Sequence, residues 1–434
     1  MKLFLICFLI VAANSEALFA KQITVIEVIQ DSLSFHPNLK AEKLEELRRE
    51  EEIIEAKSSY YPKLSLQGLY AKGLPGSAGA TNVQALVVSP YHKGPAAGVV
   101  WEQNIYDFGR TSDTIKVSTE KHSLRQEDTK VSKISIAKDA VQAYYSCARE
   151  KSLSRIFSEL LSEARTVEKE VAAFVRSGQR SVVDTYLSQS QAEEIETASL
   201  DFRKRFEINE KRLLLLTGSK ATEVSCSELD ENLMHELSDE LKLQELKTER
   251  SPLLLQAQAK LNVSLAEKDL AFDDHLPKLV GIASYGYIED TWADIPFYNW
   301  SAAVGVTIPL FEGFRVSSRV SAARAQVQAN ESRVEALRLD LADNNLKYDG
   351  FIESAAIRIE NIKNEVILTN KAFALAKKRY FAFQGTLLDL RESLRNLARA
   401  KTALKSSEFE WLENSAEKAL LNGALENPVF GEKR

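Results

Sequence analysis

Residues 153–176 read LSRIFSELLSEARTVEKEVAAFVR, and apolar side chains recur in them at three- and four-residue steps: Leu153, Ile156, Leu160, Ala164, Val167, Val171 and Phe174. That is the period of an amphipathic helix. The stretch belongs to a longer run from Arg110 to Ser177, free of glycine and proline and bracketed by Gly109 and Gly178. At 1.5 Å per residue, one helix over the whole run is about 100 Å long, far beyond the usual globular helix. Such a rod needs partners along its length.

Proline placement divides the 434-residue chain. Prolines fall at 37, 62, 75, 90 and 95, then at 252, 277, 296 and 309, with one more at 428. Residues 96–251 and 310–427 have none. Proline is excluded from helix interiors by its missing N–H and its ring clash, so two long helical blocks alternate with two turn-rich islands.

The alternation is an internal duplication. Pro37-Asn38-Leu39 and Tyr61-Pro62-Lys63-Leu64 recur 215 positions later as Pro252-Leu253-Leu254 and Leu276-Pro277-Lys278-Leu279. Beyond the islands the offset is 205: Ser181-Val182-Val183-Asp184 matches Thr386-Leu387-Leu388-Asp389, and Leu215-Leu216-Thr217-Gly218 matches Leu420-Leu421-Asn422-Gly423. Each copy reads helix, strand, loop, strand, long helix, turn, helix.

The expected organisation is a signal peptide at 1–20, a first repeat at 21–218, a linker at 219–234, a second repeat at 235–423 and a tail at 424–434. Strands are predicted at about 63–71, 99–106, 278–287 and 300–310, long helices at 110–177 and 314–382, and returning helices at 182–217 and 387–422. The leader reading rests on Met1-Lys2, the apolar run Leu3 to Ala12, and small residues near Ala17 and Ala20. That run is too short to span a bilayer, and no other stretch approaches eighteen uninterrupted apolar residues. Gly350 interrupts the second long helix and predicts a local bend.

Net charge is −6 with both signs interspersed, which gives no nucleic-acid footprint. Cys147 falls mid-rod and Cys226 in the linker, so they are expected to be unpaired structural thiols. His36, His92, His122, His235 and His275 stand without partners at ligand spacing, and neither a phosphate loop nor a nucleophile elbow occurs. The sequence predicts no enzyme, cofactor or metal site.

The strands alternate. Ala302, Val304, Val306, Ile308 and Leu310 share one face, while Ser301, Ala303, Gly305 and Thr307 share the other; Val99, Trp101 and Ile105 oppose Glu102 and Asn104. Tyr285, Tyr287, Trp292, Phe297, Tyr298 and Trp300 cluster around the second loop. Alternating segments of about ten residues with flanking aromatics fit a transmembrane β-barrel, and a soluble antiparallel sheet explains the alternation equally well. In lipid, four strands cannot close a barrel, since the smallest have about eight, so several chains would have to share one.

Over essentially its whole mature length the chain resembles the TolC-type outer-membrane efflux proteins. The features that carry the resemblance are the twofold repeat, the duplicated helix stop, and the junction Tyr106-Asp107-Phe108-Gly109-Arg110 with its echo Phe311-Glu312-Gly313-Phe314-Arg315. The resemblance implies a mainly α fold with a β-barrel part. Its long α-helical hairpins would form a trimeric α-barrel tunnel in the periplasm, and four strands per chain would join a shared 12-stranded barrel in the outer membrane. It further implies a passive exit duct that docks on an inner-membrane transporter through a periplasmic adaptor and releases drugs, metals or secreted proteins. The alternative, from another class, is a periplasmic coiled-coil adaptor or scaffold.

The helix tips carry the candidate site residues. Asp389 and Glu392 lie three apart on one helix side, where the resemblance places an acidic pore constriction. Thr386 with Asp389, and Ser181 with Asp184, also fit the capping-box pattern, a role compatible with the first. Tyr380 and Asp184 match a tyrosine and an aspartate that hold the tip closed, although Tyr380 also fits a packing seam with Phe373 and Ala376. The family's assisting arginine corresponds to Gly385; Arg176, Arg180 and Arg379 are candidate substitutes. The turns containing Gly178, Gln179, Gln384 and Gly385 are the expected adaptor-docking points, with Phe383 aligned to Gly178.

Overall fold

The computed structural model describes residues 21–72, 93–218, 224–226, 248–290 and 295–424. The leader, most of the first loop, most of the linker, the tail, His92, His235 and Trp292 lie outside the described residues. In chain order the elements are β1 (Lys21–Ile23), α1 (Val25–Phe35), α2 (Pro37–Lys57), β2 (Lys63–Lys72), β3 (Lys93–Tyr106), α3 (Arg110–Arg176), α4 (Val182–Thr217) and β4 (Val224–Cys226). There follow α5 (Pro252–Phe272), β5 (Lys278–Asp290), β6 (Ile295–Thr307), α6 (Arg315–Phe381) and α7 (Leu387–Leu421). Two compact units emerge, and α3 and α6 each contribute to both.

One unit comprises residues 41–130 and 253–339 and holds a four-stranded antiparallel sheet in the order β2-β3-β5-β6. The registers Leu64↔Trp101, Val99↔Tyr285, Tyr285↔Trp300 and Leu279↔Val306 put large apolar side chains from all four strands on one face. Leu66 (81% exposed), Tyr70, Trp300 (74%), Val304 and Val306 stay exposed among the described residues. Left in water, each would forgo about 1.5–3 kcal/mol of burial. The other face is mixed: Ser65, Val100, Ser284 and Ser301 share a row, the Ser284 and Ser301 hydroxyls bond at 2.8 Å, and Ile282 pairs with Glu102 in the next row.

Several strand boundaries differ from the sequence expectation: β5 runs on to Asp290 and β6 begins at Ile295. β3 starts at Lys93 rather than about residue 99, because it pairs β2 along its full length to Lys72↔Lys93. Pro95 is tolerated there because the pairing of β3 with β5 begins only at Ala96. β6 ends at Thr307, leaving Ile308 and Leu310 beyond the ladder, since Pro309 has no N–H to donate.

Strand-to-helix junctions in the two repeats reach the same geometry with exchanged residues. Phe108 (φ 57°) and Gly109 (φ 113°) are left-handed, as are Gly313 (φ 60°) and Phe314 (φ 66°). Each pair thus contains one phenylalanine in a region that L-residues avoid, at about 1–2 kcal/mol. Beside them Asp274, almost fully buried, is held by Arg110 and by Arg319 at 2.7 Å, with Arg315 at 3.9 Å. Burial pushes its pKa up, but the arginines win and hold it below the usual carboxylate range. Neighbouring Asp273 goes the other way: burial first, then Asp113, pushes it up to about 6.

The other unit comprises residues 1–40, 131–252 and 340–434. Its α1 begins at a capping box between Thr24 and Glu27 and buries Val28 and Ile29. One core joins these to Tyr144, Tyr145, Leu213, Phe409 and Leu412. β1 and β4 form a short parallel pair, Ile23↔Cys226. Here the structure corrects the cysteine expectation, because Cys147 and Cys226 are disulfide-bonded with their Cα atoms 6.2 Å apart. Cys226 belongs to a strand packed on α3 rather than to an open linker, and Lys151 Nζ donates to its carbonyl at 2.7 Å. At Gly350, where a local bend is expected, α6 stays helical.

Candidate functional site

Both tip turns are built by left-handed helix ends. At the end of α3, Gly178 (φ 74°) lets Gly178 N–H donate to Val175 and Gln179 N–H to Phe174, each at 2.9 Å. At the end of α6 the equivalent residue is Phe383 (φ 61°), and Gln384 N–H donates to Arg379 at 2.8 Å. These are paired C-cap bonds that glycine adopts freely and phenylalanine does not. Phe383 compensates by packing edge-on against Phe174, with centroids 5.5 Å apart.

The second tip helix, α7, starts with a full capping box. Thr386 N–H donates to Asp389 Oδ2 at 3.1 Å, and Asp389 N–H donates to Thr386 Oγ1 at 3.2 Å. The bonds from Thr386, with some help from Arg379, hold Asp389 below the usual carboxylate range. The first tip helix, α4, departs from the expected box. Ser181 Oγ accepts from Val183 N–H at 3.2 Å, and the Asp184 carboxylate is engaged elsewhere.

That carboxylate accepts the Tyr380 hydroxyl at 2.8 Å. Tyr380 is 1% exposed, and burial, then its bond to Asp184, pushes its phenol well above the ordinary range. Both roles foreseen for Tyr380 are therefore present in one side chain: it packs with Phe373, Leu387 and Leu390 and also donates to Asp184.

Arg180 supplies the guanidinium. It lies over the Tyr380 ring at 4.3 Å and the Phe383 ring at 5.0 Å. Its Nη2 donates to the Tyr380 carbonyl and, at 3.3 Å, to that of Gly385. Arg379 instead bonds the Gln384 carbonyl at 3.1 Å. Asp389 and Glu392 are both exposed, on the side of α7 away from buried Leu387, Leu390 and Leu394. Farther from the turns, Lys377 bonds Glu163 at 2.7 Å and Arg395 bonds Glu194 at 2.8 Å.

Sequence reasoning missed two features. One is the Asp274 clamp, whose signal was available: Arg110 and Arg315 are equivalent residues of the repeat. The other is an open groove of about 1010 Å³ beside the tip, lined by Phe174, Phe373, Phe381, Glu163 and Lys377. No sequence spacing marks it, because three helices contribute its walls.

Long helical hairpins, a four-stranded sheet with a bare apolar face, and paired tip turns are the features to compare with known proteins. Residues 28–219 and 243–421 match the family described as outer membrane efflux protein. The chain belongs to that family, and its place is the outer membrane. No curated protein matches it. Its fold is similar to that of CusC, known from crystal structures concerned with folding and transmembrane channel formation (TM-score 0.79, 14% identity, 93% of each chain). It is also similar to the CmeC outer membrane channel of Campylobacter jejuni (0.77, 15%, 93% of this chain and 87% of that one). A third is the outer membrane protein VceC of Vibrio cholerae (0.75, 13%, 92% and 96%). Family membership sets aside the periplasmic adaptor or scaffold.

Proposed function

We propose that this chain is the exit duct of a tripartite efflux or type I secretion system, working as a homotrimer that passively conducts drugs, metals or secreted proteins to the exterior. The observation that carries this reading is the four-stranded sheet. It exposes an apolar face, and among the described residues β2 and β6 are edges without a partner strand. Open edges are not tolerated in lipid, so other copies must complete the barrel, and three copies supply twelve strands. None of the described helices is long and apolar enough to cross a membrane.

The helices carry matching evidence for a multichain tunnel. Leu339, Leu346, Leu368 and Leu375 on α6, with Ile208 and Leu215 on α4, include pairs spaced by seven and remain exposed in the single chain. Seven-residue spacing is the period of a helix–helix seam.

At the tips, Asp389 and Glu392 form the constriction in this proposal, six carboxylates in three chains. Tyr380 and Asp184 form the gate, and the turns at Gly178, Gln179, Gln384 and Gly385 dock a periplasmic adaptor coupled to an inner-membrane transporter. The repeats, with their linker and tail, keep the boundaries given above, and the leader exports the chain. Purified protein in planar bilayers should open discrete, cation-preferring pores. Failure to conduct under any condition contradicts the duct. A photocrosslinker at position 179 or 384 in cells should capture the adaptor, and a crosslinker that never captures it counts against docking at the turns.

A further inference from the structure

We propose that Asp113 and Asp273 share one proton and so clasp the foot of the sheet to its helices in acid, a clasp that opens as the proton leaves. The inference stands apart from the duct reading and from the tips. The start of α3 packs against the end of α5 and the short helical turn Asp273–His275 that follows it. Their contact is a ladder of charge. Arg110 meets Asp274, Lys116 meets Asp269 at 3.1 Å, and Lys121 meets Glu267 at 2.8 Å. In each of these rungs α3 brings the cation and the facing segment the carboxylate. Asp113 falls between Arg110 and Lys116, and it faces Asp273, a second carboxyl within hydrogen-bonding reach.

The mismatched rung is also a buried one. Asp273 is almost fully buried, and its Oδ2 has no hydrogen-bond partner. A buried carboxylate without a donor is costly, and two carboxylates in contact repel. One proton relieves both penalties, because the protonated member donates to the other. The surrounding charges are engaged elsewhere. Arg110 is bonded to Asp274, which also takes Arg319 at 2.7 Å and has Arg315 at 3.9 Å. Asp107 adds negative charge and accepts from Asn104 and the Thr111 amide, while the His275 ring packs on Phe272. Burial, then Asp113, raises the Asp273 carboxyl, and Arg110 only partly offsets them.

The rung ties two neighbouring strands to their helices. Asp113 rides on the chain leaving β3, Asp273 on the chain entering β5, and these strands pair as far as Tyr106↔Leu279. The other repeat builds the same corner without acid. There Ser318 stands for Asp113 and Ser58 for Asp273, and Ser58–Tyr60 forms the same short helical turn. The carboxyl pair is thus not required by the corner's geometry, and it adds a dependence on pH that a serine pair lacks.

The test is amide hydrogen exchange of the detergent-solubilised protein at about pH 5 and about pH 7.5, corrected for the intrinsic pH dependence of exchange. The reporters are the Leu276 amide, bonded to the Asp273 carbonyl, and the Asp113 amide, bonded to the Gly109 carbonyl; the Leu390 amide at the tip is the reference. Relative to Leu390, protection at both reporters should fall about tenfold from the lower pH to the higher, the equivalent of one pKa unit. Asp113→Asn gives Asp273 a donor that does not titrate, and Asp113→Ser copies Ser318 of the other repeat. In both variants the fall should shrink below about twofold. Wild-type protection that does not change with pH overturns the clasp. A tenfold fall that persists in either variant means that Asp273 titrates alone, and overturns the sharing. Should Asp113→Asn fail to assemble, Asp113→Ser decides, and wild-type pH dependence there overturns the proposal.

Discussion

Replacing Cys147 and Cys226 with alanine should loosen β4 and its partner β1 selectively. The bond closes a loop of 79 residues, and the loop-entropy relation assigns such a crosslink about 4.5 kcal/mol. Measured crosslinks of this kind more often give about 2–4 kcal/mol, because the uncrosslinked chain keeps some structure. Both cysteines are fully buried, so the loss is not offset by solvation of the new side chains. Besides its packing in the core, β4 keeps its three-residue pairing with β1 and the bond from Lys151 to the Cys226 carbonyl. Hydrogen exchange of the detergent-solubilised protein should show the Ile23 and Cys226 amides losing two to three decades of protection, roughly 1.4 kcal/mol per decade. Amides near Leu387 and Leu390, in a separate core, should change far less. If protection at Ile23 and Cys226 falls by less than about fivefold, under 1 kcal/mol, the crosslink is not what holds this sheet.

Asp273 supplies a pH prediction. Its folded pKa of about 6 lies above its ordinary 3.8, so its contribution to stability is fully present below pH 3.8 and lost as pH rises through about 6. The shift corresponds to about 3 kcal/mol. Asp273→Asn should flatten the unfolding profile between pH 4 and 7, and an unchanged profile refutes the assignment. At the tip, Asp389→Ala with Glu392→Ala should weaken cation selectivity, read as the reversal potential across a KCl gradient. Asp389→Asn with Glu392→Gln is the companion variant, since it keeps an acceptor for the Thr386 N–H. Unchanged selectivity in both pairs removes the acidic ring.

Much of this architecture can be read from the chain because its constraints repeat. Proline exclusion marks α3 and α6, and period-two alternation marks the sheet, so both arise from local physics. The left-handed pairs Phe108-Gly109 and Gly313-Phe314 were legible only as a duplicated motif, since glycine and phenylalanine exchange places between copies. The disulfide was not legible. Cys226 sits in a three-residue strand, too short to show periodicity, and its partner strand is about 200 residues earlier. At the tip, Tyr380 and Asp184 came from the resemblance, and the choice among Arg176, Arg180 and Arg379 could not come from spacing. It depends on which guanidinium reaches a carbonyl on another hairpin. Ser181 and Asp184 fitted a local capping pattern, but the nonlocal bond from Tyr380 won.

The central claim is that one chain supplies a third of a membrane pore. The most direct test is the mass of the purified assembly, measured by native mass spectrometry from detergent. The account predicts three chains, each 48.6 kDa before any leader is removed, with no stable folded monomer. A monodisperse monomer with its sheet intact would contradict it.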